Sequence, residues 1–135
     1  MNATLTSLVG FIAWTLFLLV LMELIRSWLV LSGAIPANRF QPDNGNLSPF
    51  MQRLARAHAN CLEGLPIFGG LMLVAVVADR AAITDPLAPV LLGARLAQSA
   101  IHMASLAARA VTLRFAAFAI QVGIGIHWTV ALIFF

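Results

Sequence analysis

Four long apolar runs determine what this chain can fold into. They extend over about residues 5–31, 50–78, 87–108 and 113–135 of a 135-residue sequence. A bilayer core about 30 Å thick is crossed by roughly 20 helical residues, so each run is long enough to span it. None of the runs shows the alternation of apolar and polar residues that membrane strands require. The sequence therefore predicts an all-α membrane protein, a four-helix transmembrane bundle in one domain over residues 1–135.

The composition agrees with a lipid environment and excludes several other classes of protein. Apolar residues make up 61% of the chain and charged residues 10%, against about 45–50% and about 25% in soluble domains. All eight basic residues are arginines, and they are spread along the helices and their ends instead of forming a nucleic-acid-binding tract. Cys61 is the single cysteine, so no disulfide forms within the chain. The first run has no basic residue ahead of it and is too long for a signal core, so we expect it to be retained.

The connections between the runs predict the orientation of the chain. The connection over residues 32–48 contains GAIPANRFQPDNGN, with its tightest turn expected at Asp43-Asn44-Gly45. Arginines flank the first and third connections, which lie on the same side of a four-span chain. The positive-inside rule then places both connections in the cytoplasm and both termini outside it. We expect a multi-pass protein of the bacterial inner membrane.

A polar stripe interrupts the second run. At about 100° per residue, its four members lie within an arc of roughly 80°. They are Arg53, Arg56, Asn60 and Glu63. Glu63 lies about thirteen residues into the run, where an unpaired carboxylate costs about 2–3 kcal/mol, so a partner is expected, with Arg56 as the neighbour of choice. Arg53 and Arg56 are also placed where arginines simply extend to the membrane interface, and both interpretations stay open.

The third run repeats the pattern. Its stripe consists of Arg95, Gln98, His102, Ser105 and Arg109, again within an arc of roughly 80°. Two stripes of similar length indicate one shared polar site, although a membrane histidine such as His102 equally suits a structural hydrogen bond between helices. Pro66 is expected to loosen the second helix one turn beyond Glu63. In the first run, Glu23 and Arg26 have the spacing of a local, mainly structural ion pair.

The segment RAHANCLEGLP resembles the second-helix signature of the MAPEG superfamily, the membrane-associated proteins in eicosanoid and glutathione metabolism. The matching positions are Arg56, Ala57, His58, Asn60, Glu63 and Pro66. Arg95 in the third run and the arginine of LRFAAFAIQ in the fourth run support the resemblance. It implies a homotrimer of four-helix subunits, similar to microsomal glutathione transferases, that binds glutathione between neighbouring subunits.

Carried over residue by residue, the resemblance implies a set of glutathione contacts on the two polar stripes. They are Arg53, Arg56, Asn60 and Glu63 on the second helix and Arg95, Gln98 and His102 on the third. Arg114 corresponds to the arginine that activates the thiol. Arg109 is the alternative, because the spacing from His102 to Arg114 is longer than in the eicosanoid enzymes. No metal is implied.

The implied reaction is transfer of the glutathione thiolate to a hydrophobic electrophile, or reduction of a lipid peroxide, with glutathione as co-substrate. The chain has no tyrosine, whereas transferases of the family commonly place tyrosines beside glutathione; Gly64 and His102 stand at such positions. A catalytically silent member that binds lipids or a partner protein is therefore one alternative. The other is a small proton-coupled multidrug exporter using Glu23, against which Arg26 and the remaining arginines argue.

Overall fold

All regular elements of the chain are helical. The computed structural model describes residues 1–135 and contains no strand. The elements are α1 (Ala3–Leu31), α2 (Pro49–Gly64), a π-helical turn (Leu65–Gly69), α3 (Gly70–Val77), α4 (Ala81–Thr84), α5 (Ala88–Ala104) and α6 (Ala108–Phe134). Because α2, the π turn and α3 are continuous, they form one span. The predicted all-α, four-helix architecture is confirmed.

Three of the four spans are long and apolar enough to cross a bilayer. They are α1, the combined span Pro49–Val77, and α6, so the chain is an integral membrane protein. The fourth, α5, has only 17 residues and buries four polar side chains, those of Arg95, Gln98, Ser99 and His102. The third helix, expected over about residues 87–108, is therefore shorter than predicted. This helix packs against α1, α2 and α6, and its polar side chains face the inside of the bundle.

The ends of α5 and α6 differ most from the predicted ends. Ser105 has an extended backbone, with φ −159° and ψ 150°, so α5 ends at Ala104 instead of residue 108. The Ser105 hydroxyl accepts a hydrogen bond from the amide of Ala107 at 3.0 Å, and α6 begins at once. Ser105 and Arg109 therefore do not extend the α5 stripe.

The second span is distorted where the sequence predicts it. Pro66 has no amide hydrogen to donate, and the five residues around it form the π turn Leu65–Gly69. π turns inside α-helices change the direction of the following side chains and often occur beside functional sites. The turn begins two residues after Glu63.

Arginine side chains form hydrogen bonds between neighbouring elements at both ends of the bundle. Near one end, Arg53 Nε donates to the carbonyl of Met103 at 2.7 Å, which ties α2 to the last turn of α5. At the other end, Arg80 Nη1 and Nη2 donate to the carbonyls of Leu132 and Ala131, at 2.6 and 3.3 Å. Helices end with carbonyl groups that lack intrahelical donors, so a guanidinium there satisfies groups that lipid cannot.

The connection between α1 and α2 is held by a buried asparagine. Asn44 is fully buried with φ +57°, and its side-chain oxygen accepts bonds from Arg26 Nε and Nη2 at 3.0 and 2.5 Å. Its amide donates to the carbonyl of Met51 at 2.8 Å. The turn predicted at Asp43–Gly45 is confirmed by the bond from the Gly45 amide to Asp43 Oδ1 at 2.9 Å.

The predicted ion pair between Glu23 and Arg26 is also confirmed, at 3.1 Å. It is the only ion pair in the chain. The expectation that Glu63 pairs directly with Arg56 is therefore wrong for a single chain. The two residues are seven apart on α2, and both side chains are exposed.

Candidate functional site

A groove of about 700 Å³ runs between the α2–α3 span and α6. Its volume lies within the range of roughly 300–1,000 Å³ typical of small-molecule sites. One part of its wall is polar, and the rest is formed by apolar side chains, among them Ile67, Phe68, Phe118, Val122 and Ile126. The polar part is lined by Asn60, Glu63, Arg95, Gln98 and Arg114. Five of the nine residues predicted for the site therefore meet in one groove.

Arg95 is the most deeply buried cation of the groove. Its side chain is only 1% exposed, and Nη1 donates to Asn60 Oδ1 at 2.7 Å. The guanidinium carbon lies 5.3 Å from the centre of the Phe11 ring, in the geometry of a cation–π contact. Nε and Nη2 have no hydrogen-bond partner. A guanidinium with two free donors and no carboxylate beside it leaves room for an anion.

A glycine on α2 makes room for this guanidinium. A Cβ atom at Gly64 would lie 2.6 Å from Arg95 Nη2, closer than real Cβ contacts come. Gly64 also lines the groove. The absence of a side chain at position 64 thus lets an arginine nitrogen from α5 lie against the α2 backbone.

Three amide side chains form a hydrogen-bonded chain beside Arg95. Asn60 Oδ1 accepts from Arg95 and also from Gln98 Nε2 at 3.3 Å. Gln98 Oε1 accepts from Gln121 Nε2 at 2.8 Å, and the same nitrogen donates to the carbonyl of Ala117 at 3.0 Å. The chain therefore connects α2, α5 and α6 in the interior of the bundle. Cys61 lies outside it, paired with the hydroxyl of Ser99 at 3.2 Å.

Glu63 and Arg114 lie at the more open part of the polar wall. Glu63 is exposed and has no ionic partner in the chain. Arg114 is half-buried, and its Nε has no hydrogen-bond partner. It lies in the second turn of α6 instead of opening that helix, because α6 begins at Ala108. An anion and a cation with free bonding capacity therefore line the same groove.

Four of the predicted residues do not line the groove. Arg53 is engaged with the carbonyl of Met103, while Arg56 and Arg109 are exposed. His102 is buried on α5, near enough to Arg56 and Arg114 for their charges to act on it. No three His, Cys, Asp or Glu side chains are grouped closely enough to hold a metal ion.

Gln121 is the residue of this site that sequence reasoning missed. It is the only fully buried polar side chain on α6 and belongs to the amide chain. The sequence did contain a signal, because Gln121 follows Arg114 by seven residues and so lies on the same face of an otherwise apolar helix.

The MAPEG family model matches residues 4–134, nearly the whole chain. The chain belongs to the MAPEG family. The resemblance noted for RAHANCLEGLP is thereby confirmed, and the groove contains several positions of that signature. The MAPEG family includes glutathione transferases and related proteins. Searches of curated proteins and of solved structures each return no match.

Proposed function

We propose that this MAPEG protein is a glutathione-dependent membrane enzyme, which transfers the glutathione thiolate to a hydrophobic electrophile or reduces a lipid peroxide. The supporting observation is the groove itself. Its polar wall contains the buried, unneutralised guanidinium of Arg95, and the remainder of its wall is apolar. A hydrophilic anionic thiol and a lipid-soluble partner would thus find complementary surfaces side by side.

The side chains of the polar wall suit the groups of glutathione. The tripeptide has two carboxylates, one ammonium group and one thiol. Arg95 and Arg114 have free donors for carboxylates or a thiolate, and guanidinium forms strong charge-assisted bonds with such anions. Glu63 is the one carboxylate of the groove and suits the ammonium group. Asn60 keeps its amide nitrogen free, because its oxygen takes both bonds from Arg95 and Gln98.

Arg114 is the proposed activator of the thiol, with Arg109 as the alternative. A free thiol is only a few per cent ionised at neutral pH, and a nearby guanidinium increases the thiolate fraction. Of the two candidates only Arg114 lines the groove. In conjugation the thiolate sulfur forms a bond to the electrophilic carbon as the leaving group departs. In peroxide reduction two glutathione molecules become the disulfide, and the peroxide becomes an alcohol and water.

We further propose a homotrimer in the bacterial inner membrane, with the connections after α1 and α5 in the cytoplasm. Arg56 and Glu63 are exposed on a single chain although they belong to the family signature. Glutathione bound between neighbouring subunits would give both residues a partner. The exporter alternative is disfavoured, because Glu23 is engaged by Arg26 at 3.1 Å instead of being free to exchange protons.

A binding titration tests this proposal. Calorimetric titration of the detergent-solubilised protein with glutathione should give a saturable site, and Glu63→Gln, which keeps the size but removes the charge, should weaken it about fivefold or more. Turnover with a hydrophobic electrophile then separates an enzyme from a silent member. If the wild-type protein binds no glutathione, the proposed function is wrong; bound glutathione without turnover supports the silent member.

A further inference from the structure

Gln121 does not line the groove and bonds no charged group, yet it ends the amide chain that leads to Arg95. Its side chain is fully buried, and it does not line the groove. It holds no structural role that a leucine could not fill, apart from its bonds to Gln98 and to the carbonyl of Ala117. Its own Oε1 has no donor. A buried glutamine with one unsatisfied oxygen is expensive in an apolar helix, so its donor function needs an explanation.

The bond directions in the amide chain are constrained at both ends, by Arg95 and by the α6 backbone. A guanidinium only donates, so Asn60 must turn its oxygen toward Arg95 and its nitrogen away. Gln98 then donates to that same oxygen and must turn its own oxygen toward Gln121. Gln121 can bond that oxygen only by donating from its nitrogen, and the same nitrogen donates to the carbonyl of Ala117. The α6 backbone therefore sets the orientation of Gln121, and Gln98 passes that orientation on to Asn60.

We propose that Gln121 is a positioning residue, which acts through Gln98 to hold the Asn60 amide with its oxygen on Arg95 and its nitrogen toward the groove. This inference rests on the proposed function, because the nitrogen of Asn60 is held ready for glutathione. Without Gln121, Gln98 loses the donor to its oxygen and is free to rotate. Asn60 then loses its second donor, and only the bond from Arg95 still holds its amide in that direction.

We call the hydrogen-bonded path from Gln121 through Gln98 to Asn60 the relay. It can be tested in the absence of glutathione. Nitrogen-15 NMR of the full-length protein in detergent reports the side-chain amide of Asn60 and the Nε–H of Arg95. Gln121→Leu should shift or broaden both signals. Thr84→Val is the control, since Thr84 is a fully buried polar residue that bonds Thr4 and the carbonyl of Ala81, outside the amide chain, and it should leave both signals in place. Unchanged Asn60 and Arg95 signals in a folded Gln121→Leu protein would overturn the proposal.

A double-mutant cycle then measures the consequence for binding. Gln121→Leu should weaken glutathione about threefold to tenfold, the range for losing one oriented hydrogen bond. In a Gln98→Leu background the same change should cost less than twofold, because the relay is already broken. Additive effects would show that Gln121 acts independently and would overturn the relay. If the wild type binds no glutathione while the NMR coupling is present, the relay stands and the proposed function fails.

Discussion

Arg95 is a buried cation whose charge no carboxylate of the chain neutralises. Three neighbours accommodate its guanidinium: the ring face of Phe11, the side-chain oxygen of Asn60 and the backbone of Gly64, which has no side chain in the way. Burying a charge without an opposite charge is costly, and two unpaired donors add to that cost. Such an arrangement is stabilised when an anion binds. The residue is therefore better suited to ligand binding than to stabilising the empty bundle.

Gly64→Ala should displace this guanidinium without changing any charge. The new Cβ would lie 2.6 Å from Nη2, so Arg95 must move and its contact with Asn60 is strained. We expect glutathione affinity in titrations to fall about tenfold, since the anion loses its buried partner. Gly70→Ala on the same span is the matched control, because nothing lies within 4 Å of its Cβ. Equal glutathione affinities for the two variants would show that Arg95 does not contribute to glutathione binding.

Arg114→Ala should act on the chemistry more than on affinity. An interaction made mainly with the thiolate affects the reactive form of glutathione and the chemical step, while binding of the neutral thiol depends on the other contacts. We expect the ultraviolet absorbance of bound thiolate at neutral pH to be largely lost and turnover to fall about a hundredfold or more. Arg109→Ala, outside the groove, should leave the absorbance unchanged. If the absorbance is lost in Arg109→Ala and kept in Arg114→Ala, Arg109 is the residue that activates the thiol.

At the level of the helices, α5 is the element that brings the site together. It is shorter than the three membrane-spanning segments and is the one helix whose buried face is largely polar. Arg95 and Gln98 meet Asn60 of α2 on one side, and Gln98 meets Gln121 of α6 on the other. The candidate site is therefore organised around the buried polar face of a short helix.

Arg53→Ala tests whether α2 is fastened to α5 by a structural arginine. The variant leaves the carbonyl of Met103 without its donor, and losing a bond from a charged donor costs about 1–3 kcal/mol. We expect a lower thermal unfolding midpoint in detergent, with glutathione affinity changed less than threefold, because Arg53 does not line the groove. Arg56→Ala is the comparison for stability, since Arg56 is exposed and unpaired. A strong loss of glutathione affinity with an unchanged unfolding midpoint would instead show that Arg53 takes part in binding glutathione.

The sequence predicted the helices better than their ends and contacts. Apolar length alone identifies spans, because lipid demands a closed backbone hydrogen-bond pattern, and Pro66 marks the distortion for the same reason. The end of α5 was not predictable in this way, since Ser105–Ala107 is apolar enough to continue a span and stops it only through the extended backbone of Ser105. Stripe geometry found Asn60, Glu63, Arg95 and Gln98. It could not show that Arg53 is engaged elsewhere, because that depends on how α2 and α5 pack.

For the whole molecule, exposed side chains on a single chain favour the proposed trimer. Glu63 and Arg56 are exposed and have no ionic partner, and α6 also exposes large apolar side chains away from the groove, among them Leu113, Ile120 and Ile133. We expect native mass measurement in a mild detergent to give three times the mass of the 14.5 kDa chain. A stable monomer or an antiparallel dimer would contradict the trimer and favour the exporter.

The hydrogen bonds of Arg53 and Arg80 at opposite ends of the bundle imply a thermodynamic signature for the hydrophobic ligand of the proposed function. Because α2 is tied to α5 and the end of α6 is tied to Arg80, the groove between them is formed before any ligand arrives. An apolar compound that enters a preformed apolar cavity is frequently bound with favourable enthalpy and always with a loss of heat capacity. Calorimetry at several temperatures, with a non-reactive analogue of the electrophile and glutathione present, should therefore give exothermic binding that becomes more exothermic on warming. Entropy-driven binding that is weakened equally by Arg53→Ala and by Arg80→Ala would instead indicate a groove that the ligand itself must order.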